Sequence, residues 1–70
     1  MDYLVVFERA SDGTIWARVP DLPGCYSNGE TLDDAKLQIK DAIEFHIDGL
    51  KEEGLDVPQP QLFKAELIHI

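Results

Sequence analysis

The first third of the chain carries two short, mainly apolar runs of strand length, Tyr3 to Phe7 and Ile15 to Val19. Tyr3 to Arg9 (Tyr-Leu-Val-Val-Phe-Glu-Arg) is rich in aromatic and β-branched residues, which predicts a strand. Ser11-Asp12-Gly13 follows, a turn signal whose glycine is free to take a left-handed conformation. Thr14 to Val19 then predicts a second strand, paired with the first as an antiparallel hairpin. Because successive side chains alternate sides, Ile15, Ala17 and Val19 share one face, and Trp16 and Arg18 share the other. A third, short strand is expected to include Cys25-Tyr26-Ser27.

The pattern changes at Thr31. From there, apolar residues recur with the 3.6-residue period of a helix, predicted from Leu32 to Glu53. Leu32, Ala35, Ile39, Ala42, Ile43, His46, Ile47 and Leu50 form one stripe, the expected core face. Thr31 is a good N-cap, and Asp34 stands at the capping-box position, although it is shorter than the usual glutamate. Asp33 and Asp34 complement the positive end of the helix dipole. Gly54 is suited to stop the helix, with Leu55 as the apolar residue after it. Val57-Pro58-Gln59-Pro60 is expected to be extended, and Leu62 to Ile70 to return as a final strand. The order β-β-β-α-β, a three-stranded antiparallel meander with one long helix and a returning strand, is an α+β architecture.

Length and charge narrow the function. Seventy residues make one domain, which buries only about 60% of its unfolded surface. Self-association, most simply as a homodimer, is therefore expected. A single cysteine forms no internal disulfide and favours a reducing compartment. No stretch approaches the roughly 18 apolar residues of a membrane span. The expectation is a cytoplasmic protein without a membrane partner. Fourteen acidic residues against six basic ones give a net charge of −8. Phosphate binding needs clustered Lys and Arg, so direct nucleic-acid contact is disfavoured. A basic protein suits this field, although such a charge can also serve solubility alone.

Catalysis finds little support. Asp34, Asp41, Glu44, Asp48 and Glu52 spread over the solvated side of the helix rather than pairing to hold a metal ion. His46 lies in the core stripe, and His69 has no His or Cys at ligand spacing. A Cys25–His46 nucleophile pair is conceivable, but a small apolar side chain beside a Pro-Gly turn is the favoured role for Cys25. No phosphate-cradling glycine loop is present. Neither metal nor cofactor is expected. Leu37 and Phe45 fall outside the apolar stripe, and single exposed apolar residues are common. Trp16 either anchors a partner on the uncovered sheet face, as Trp and Arg often do, or packs beneath the C-terminal strand or a loop.

The most constrained stretch runs from Val19 to Thr31 (Val-Pro-Asp-Leu-Pro-Gly-Cys-Tyr-Ser-Asn-Gly-Glu-Thr). Its prolines fix φ and its glycines open positive φ. Gly24, after Pro23, suits the third position of a type II turn, and Gly24 and Gly29 are both expected to be structural. VPDLPGC-x-S-x-G-x-T-x-x-x-A resembles the signature of HicB-type antitoxins. The resemblance extends to Tyr3-x-Val5-Val6-Phe7-Glu8, Asp12-Gly13, Trp16-Ala17-x-Val19, Thr31-Leu32-Asp33-Asp34-Ala35, Ile39-x-x-Ala42-Ile43 and Gly54-x-x-Val57-Pro58-x-Pro60.

That resemblance implies a truncated RNase H-like domain without the hydrolase carboxylates. It implies a non-enzymatic protein that binds a small basic HicA-type mRNA-cleaving toxin and covers its active surface. Many members add a DNA-binding module, which residues 1–70 do not include. The alternative is an orphan homo-oligomeric interaction module with an unrelated partner. The residues expected to bind the partner are Trp16, Arg18, Asp21, Tyr26, Glu30 and Phe45.

Overall fold

A computed structural model describes residues 1–70. Strands β1 (Val6–Arg9), β2 (Ile15–Arg18) and β3 (Tyr26–Gly29) precede helix α1 (Leu32–Glu52). The strands form an antiparallel sheet in the order β1-β2-β3. This is the expected α+β meander with one long helix.

Local chemistry sets each junction. In the first hairpin, the Gly13 N–H donates to Ala10 O (3.0 Å) and the Ala10 N–H to Thr14 O (2.8 Å). Gly13 takes φ 90°, the left-handed residue that closes a three-residue hairpin loop. The Asp12 carboxylate accepts from both the Thr14 hydroxyl (2.7 Å) and the Thr14 N–H (3.0 Å). Those bonds, the hydroxyl's first, hold the Asp12 carboxyl below its ordinary value.

Between β2 and β3 the chain makes two successive turns. The Leu22 N–H donates to Val19 O and the Cys25 N–H to Leu22 O, each at 3.0 Å. Gly24 lies at φ 84°, as a type II turn requires at its third position. Cys25 closes this turn, and β3 therefore starts at Tyr26 and continues to Gly29. A Cβ at Gly24 would meet nothing within 4 Å, so the cost of substitution is conformational alone. Gly24→Val should lose about 1 kcal/mol or more in urea denaturation. Unchanged stability would rule out that strain.

Helix α1 starts as the capping signals predict. The Thr31 hydroxyl accepts from the Asp34 N–H (3.1 Å), and the Asp34 carboxylate accepts from the Glu30 N–H (3.1 Å). The return bond thus reaches one residue beyond the cap. At the other end, the Leu55 N–H donates to Leu50 O and the Gly54 N–H to Lys51 O, with Gly54 at φ 72°. This pair of bonds is a Schellman motif.

The helix packs on β2 and β3. Ala17, Val19, Leu22, Cys25 and Ile39 form the buried cluster, with Tyr3, Val5, Phe7, Ala42, Ile43 and Ile47 half-buried around it. Leu22 and Val19 are essentially inaccessible, and burying each side chain contributes about 1.5–3 kcal/mol. Ile15 and Ala35 are also buried. Leu32, expected in the core, is exposed. His46 is half-buried, as expected of its place in the stripe.

The returning strand is corrected. Residues beyond the helix carry no strand, and residues 61–70 are all exposed. The segment is held at its base only. The Tyr3 hydroxyl donates to Pro58 O, and the Asp21 carboxylate accepts from the N–H groups of Gln61 (2.8 Å) and Leu62 (2.9 Å). These bonds carry it past the end of the sheet instead of along an edge.

Candidate functional site

The strand register separates two faces. Phe7, Ala17 and Ser27 are aligned across the sheet toward the helix, and so are Arg9, Ile15 and Gly29. The intervening positions therefore face away: Val6 and Glu8 on β1, Trp16 and Arg18 on β2, Tyr26 and Asn28 on β3. The single helix lies on the first face and leaves the second open.

On the open face, the rings of Trp16 and Tyr26 stand with centroids 6.1 Å apart and planes tilted by 36°. Trp16 pairs directly with Asn28, and Arg18 with Tyr26, so the two aromatic residues are diagonal neighbours within reach across strands. The Arg18 guanidinium meets the Glu8 carboxylate at 3.1 Å. Both side chains are more than half exposed, so the bond orients Arg18 and adds little stability. Trp16 keeps 42% of its surface exposed. Residues 61–70 are exposed and do not bury it.

This face continues into a cleft of about 490 Å³. Trp16, Tyr26, Glu8 and Arg18 form one side, and Pro20 and Pro23 form part of the other. Two prolines give the rim a backbone with few conformations to lose on binding. The aromatic pair supplies rigid apolar area of the kind found at binding hot spots.

Of the six residues expected to bind a partner, Trp16, Arg18 and Tyr26 are brought together here. Asp21 follows the same strand, but one of its carboxylate oxygens is engaged by Gln61 and Leu62. Glu30 is exposed at the helix junction, past the far end of β3 from Tyr26, roughly 13 Å away along the strand. Phe45 is 82% exposed on α1, in the layer on the opposite side of the sheet. Glu8 and Asn28 join the site unforeseen. The hairpin register, which sets Glu8 opposite Trp16, is the signal that could have found Glu8.

No three His, Cys, Asp or Glu side chains come together as a metal site would need. Cys25 is buried, and burial pushes its thiol up from its ordinary value, the reverse of an activated nucleophile. No helix is long and apolar enough to cross a membrane.

Residues 3–68 match the model of the HicB-like antitoxin of bacterial toxin–antitoxin systems. A 14.9 kDa protein from the rep–hol intergenic region of Haemophilus phage HP1 is 44% identical over 59 residues; these are 84% of this chain and 44% of the relative. The chain thus spans under half of that phage protein. A UPF0150 protein of Thermoplasma acidophilum is 37% identical over 84% of this chain and 86% of its own. In structure, the chain is similar to the N-terminal domain of the Burkholderia pseudomallei antitoxin HicB. The TM-score is 0.69 and the identity 33%, over 90% of this chain and 69% of that one. The motifs, the meander-and-helix fold and the family match all agree: the chain belongs to the HicB-like antitoxins of bacterial toxin–antitoxin systems.

Proposed function

We propose that this protein is a cytoplasmic, non-enzymatic antitoxin that neutralises a small basic HicA-type mRNA-cleaving toxin by covering its active surface. The observation that carries this reading is an open, aromatic-anchored face on a family antitoxin fold. The acidic side chains add a second element. Asp33, Asp41, Glu44 and Asp48 are exposed on the helix and do not line the cleft. Charge thus serves encounter, and the cleft serves attachment. A net charge of −8 speeds association with a basic partner, and salt screens it beyond about 8 Å at physiological ionic strength. The antitoxin works as a homo-oligomer, most simply a two-fold dimer, because so small a core gives limited stability alone.

The test is coexpression with the product of any adjacent reading frame that encodes a small basic protein, then calorimetry and an mRNA-cleavage assay. The expected result is a complex in which cleavage stops and whose association rate falls as salt rises. A neighbour that neither binds nor is inhibited would refute the antitoxin role.

A further inference from the structure

The segment Leu62–Ile70 has the chemistry of a strand and no sheet to sit in. Lys64 and Glu66 form an ion pair, which places both on one side of the extended chain. Phe63, Ala65 and Leu67 therefore share the other side. That apolar side is bare: Phe63 is 91% exposed and Leu67 104%. The main chain beyond Leu62 makes no hydrogen bond within the protomer, so a row of backbone donors and acceptors is open for pairing.

A vacancy of matching chemistry lies along β1. That strand is an edge of the sheet, and α1 packs on β2 and β3 instead. Two open grooves flank the space between β1 and the helix. One, of about 400 Å³, is lined by Met1, Tyr3, Ile43 and Ile47, with Lys40 and Lys51 at its rim. The other, of about 260 Å³, touches Phe7, Ile15 and Leu32. Val5 and Phe7 stay half-buried for want of a cover on that side.

The arm does not fill its own vacancy. Asp21, beyond the end of β2, grips the N–H groups of Gln61 and Leu62, and from that point the arm leaves the protomer. The radius of gyration is accordingly 13.2 Å, against about 11 Å for a compact chain of this length. Nine extended residues reach roughly 30 Å, far enough to cross to a neighbouring molecule.

We propose that two copies of this chain exchange their C-terminal arms, each arm adding a strand to the β1 edge of the other and laying Phe63, Ala65 and Leu67 over Tyr3, Phe7, Ile43 and Ile47. A two-fold operation satisfies both edges and both arms together and closes the assembly. With arm and groove counted together, each copy contributes roughly twenty residues, as a stable interface requires. This deepens the dimer part of the functional reading and is independent of the toxin.

The experiment is light scattering and amide hydrogen exchange on the full chain at about 50 µM, with Leu67→Glu and, as a control, Leu37→Glu. Leu67 touches nothing in its own protomer and Leu37 is 66% exposed on the helix, so neither substitution disturbs the protomer fold. The expected result is a dimer with protected amides in residues 63–70. Leu67→Glu should raise its dissociation constant about tenfold or more, and Leu37→Glu should not change it. A dimer indifferent to Leu67→Glu would overturn the exchange and leave the dimer standing. A monomer would overturn both, and a monomer with a protected arm would show the strand closing on its own sheet.

Discussion

Gly29→Ala is expected to destabilise the fold by about 2–3 kcal/mol, while Gly49→Ala stabilises it by about 0.5–1 kcal/mol. The same substitution takes opposite signs because the two glycines do different work. Gly29 sits opposite Ile15 on the face that meets the helix. A Cβ there would lie 2.5 Å from Ala35 N, 2.9 Å from Ala35 Cα and 2.8 Å from the Asp34 carboxylate. Two of those atoms are backbone and cannot rotate aside. The third belongs to the carboxylate that accepts from the Glu30 N–H, so relief on that side loosens the helix start, where a cap is worth about 1 kcal/mol. Gly49 lies inside α1 with open space at its Cβ position, where alanine gains ordinary helix propensity. Urea denaturation of both variants at one fixed protein concentration, which holds any self-association constant, gives the comparison. A Gly29→Ala variant as stable as its parent would mean that strand and helix do not approach this closely.

Features that depend on neighbouring residues were legible in the sequence. Thr31 and Asp34 announced the helix start, Gly54 and Leu55 its end, and Pro23-Gly24 the turn before β3; each rests on bonds between residues a few positions apart. The two-face pattern of β2 was equally readable, because alternation along one strand needs no knowledge of its neighbours. The C-terminal segment was different. Its composition specifies an extended chain, but what an extended chain pairs with is a long-range matter. The bonds from Gln61 and Leu62 to Asp21 join residues about forty positions apart, and no local signal marks Asp21 as their acceptor. The same applies to Gly29, whose place in a constrained linker was visible while its contact with Ala35 belongs to tertiary packing. Leu32 fitted the helical stripe by angle, yet it lies in the first turn and is exposed. Within the candidate site, Trp16 and Arg18 followed from alternation. Glu8 required the hairpin register, and Phe45, chosen only as an apolar residue off the stripe, lies on the far layer.

Trp16→Ala should weaken binding of the proposed basic toxin by about 2 kcal/mol, roughly a thirtyfold rise in Kd. Trp16 is the large side chain at the centre of the open face. It leans on Tyr26 and remains 42% exposed in the free protein, so considerable apolar area is left for a partner to cover. The fold also loses the apolar contact over the more than half of Trp16 that its own protomer covers, so the stability of the variant is measured beside its binding. Arg18→Ala should cost the complex less: its ion pair with Glu8 is exposed on both sides and worth at most about 1 kcal/mol. Asp33→Asn, on the helix and away from the cleft, should slow association at low salt and leave dissociation unchanged. Calorimetry and stopped-flow association with the toxin separate these effects. Light scattering on the same variants adds the decisive contrast. If the open face holds the toxin and the arm holds the second copy, Trp16→Ala loses toxin and keeps its mass, whereas Leu67→Glu changes mass first. A Trp16→Ala protein that binds toxin as its parent does would remove the open face from the mechanism, whatever the arm does.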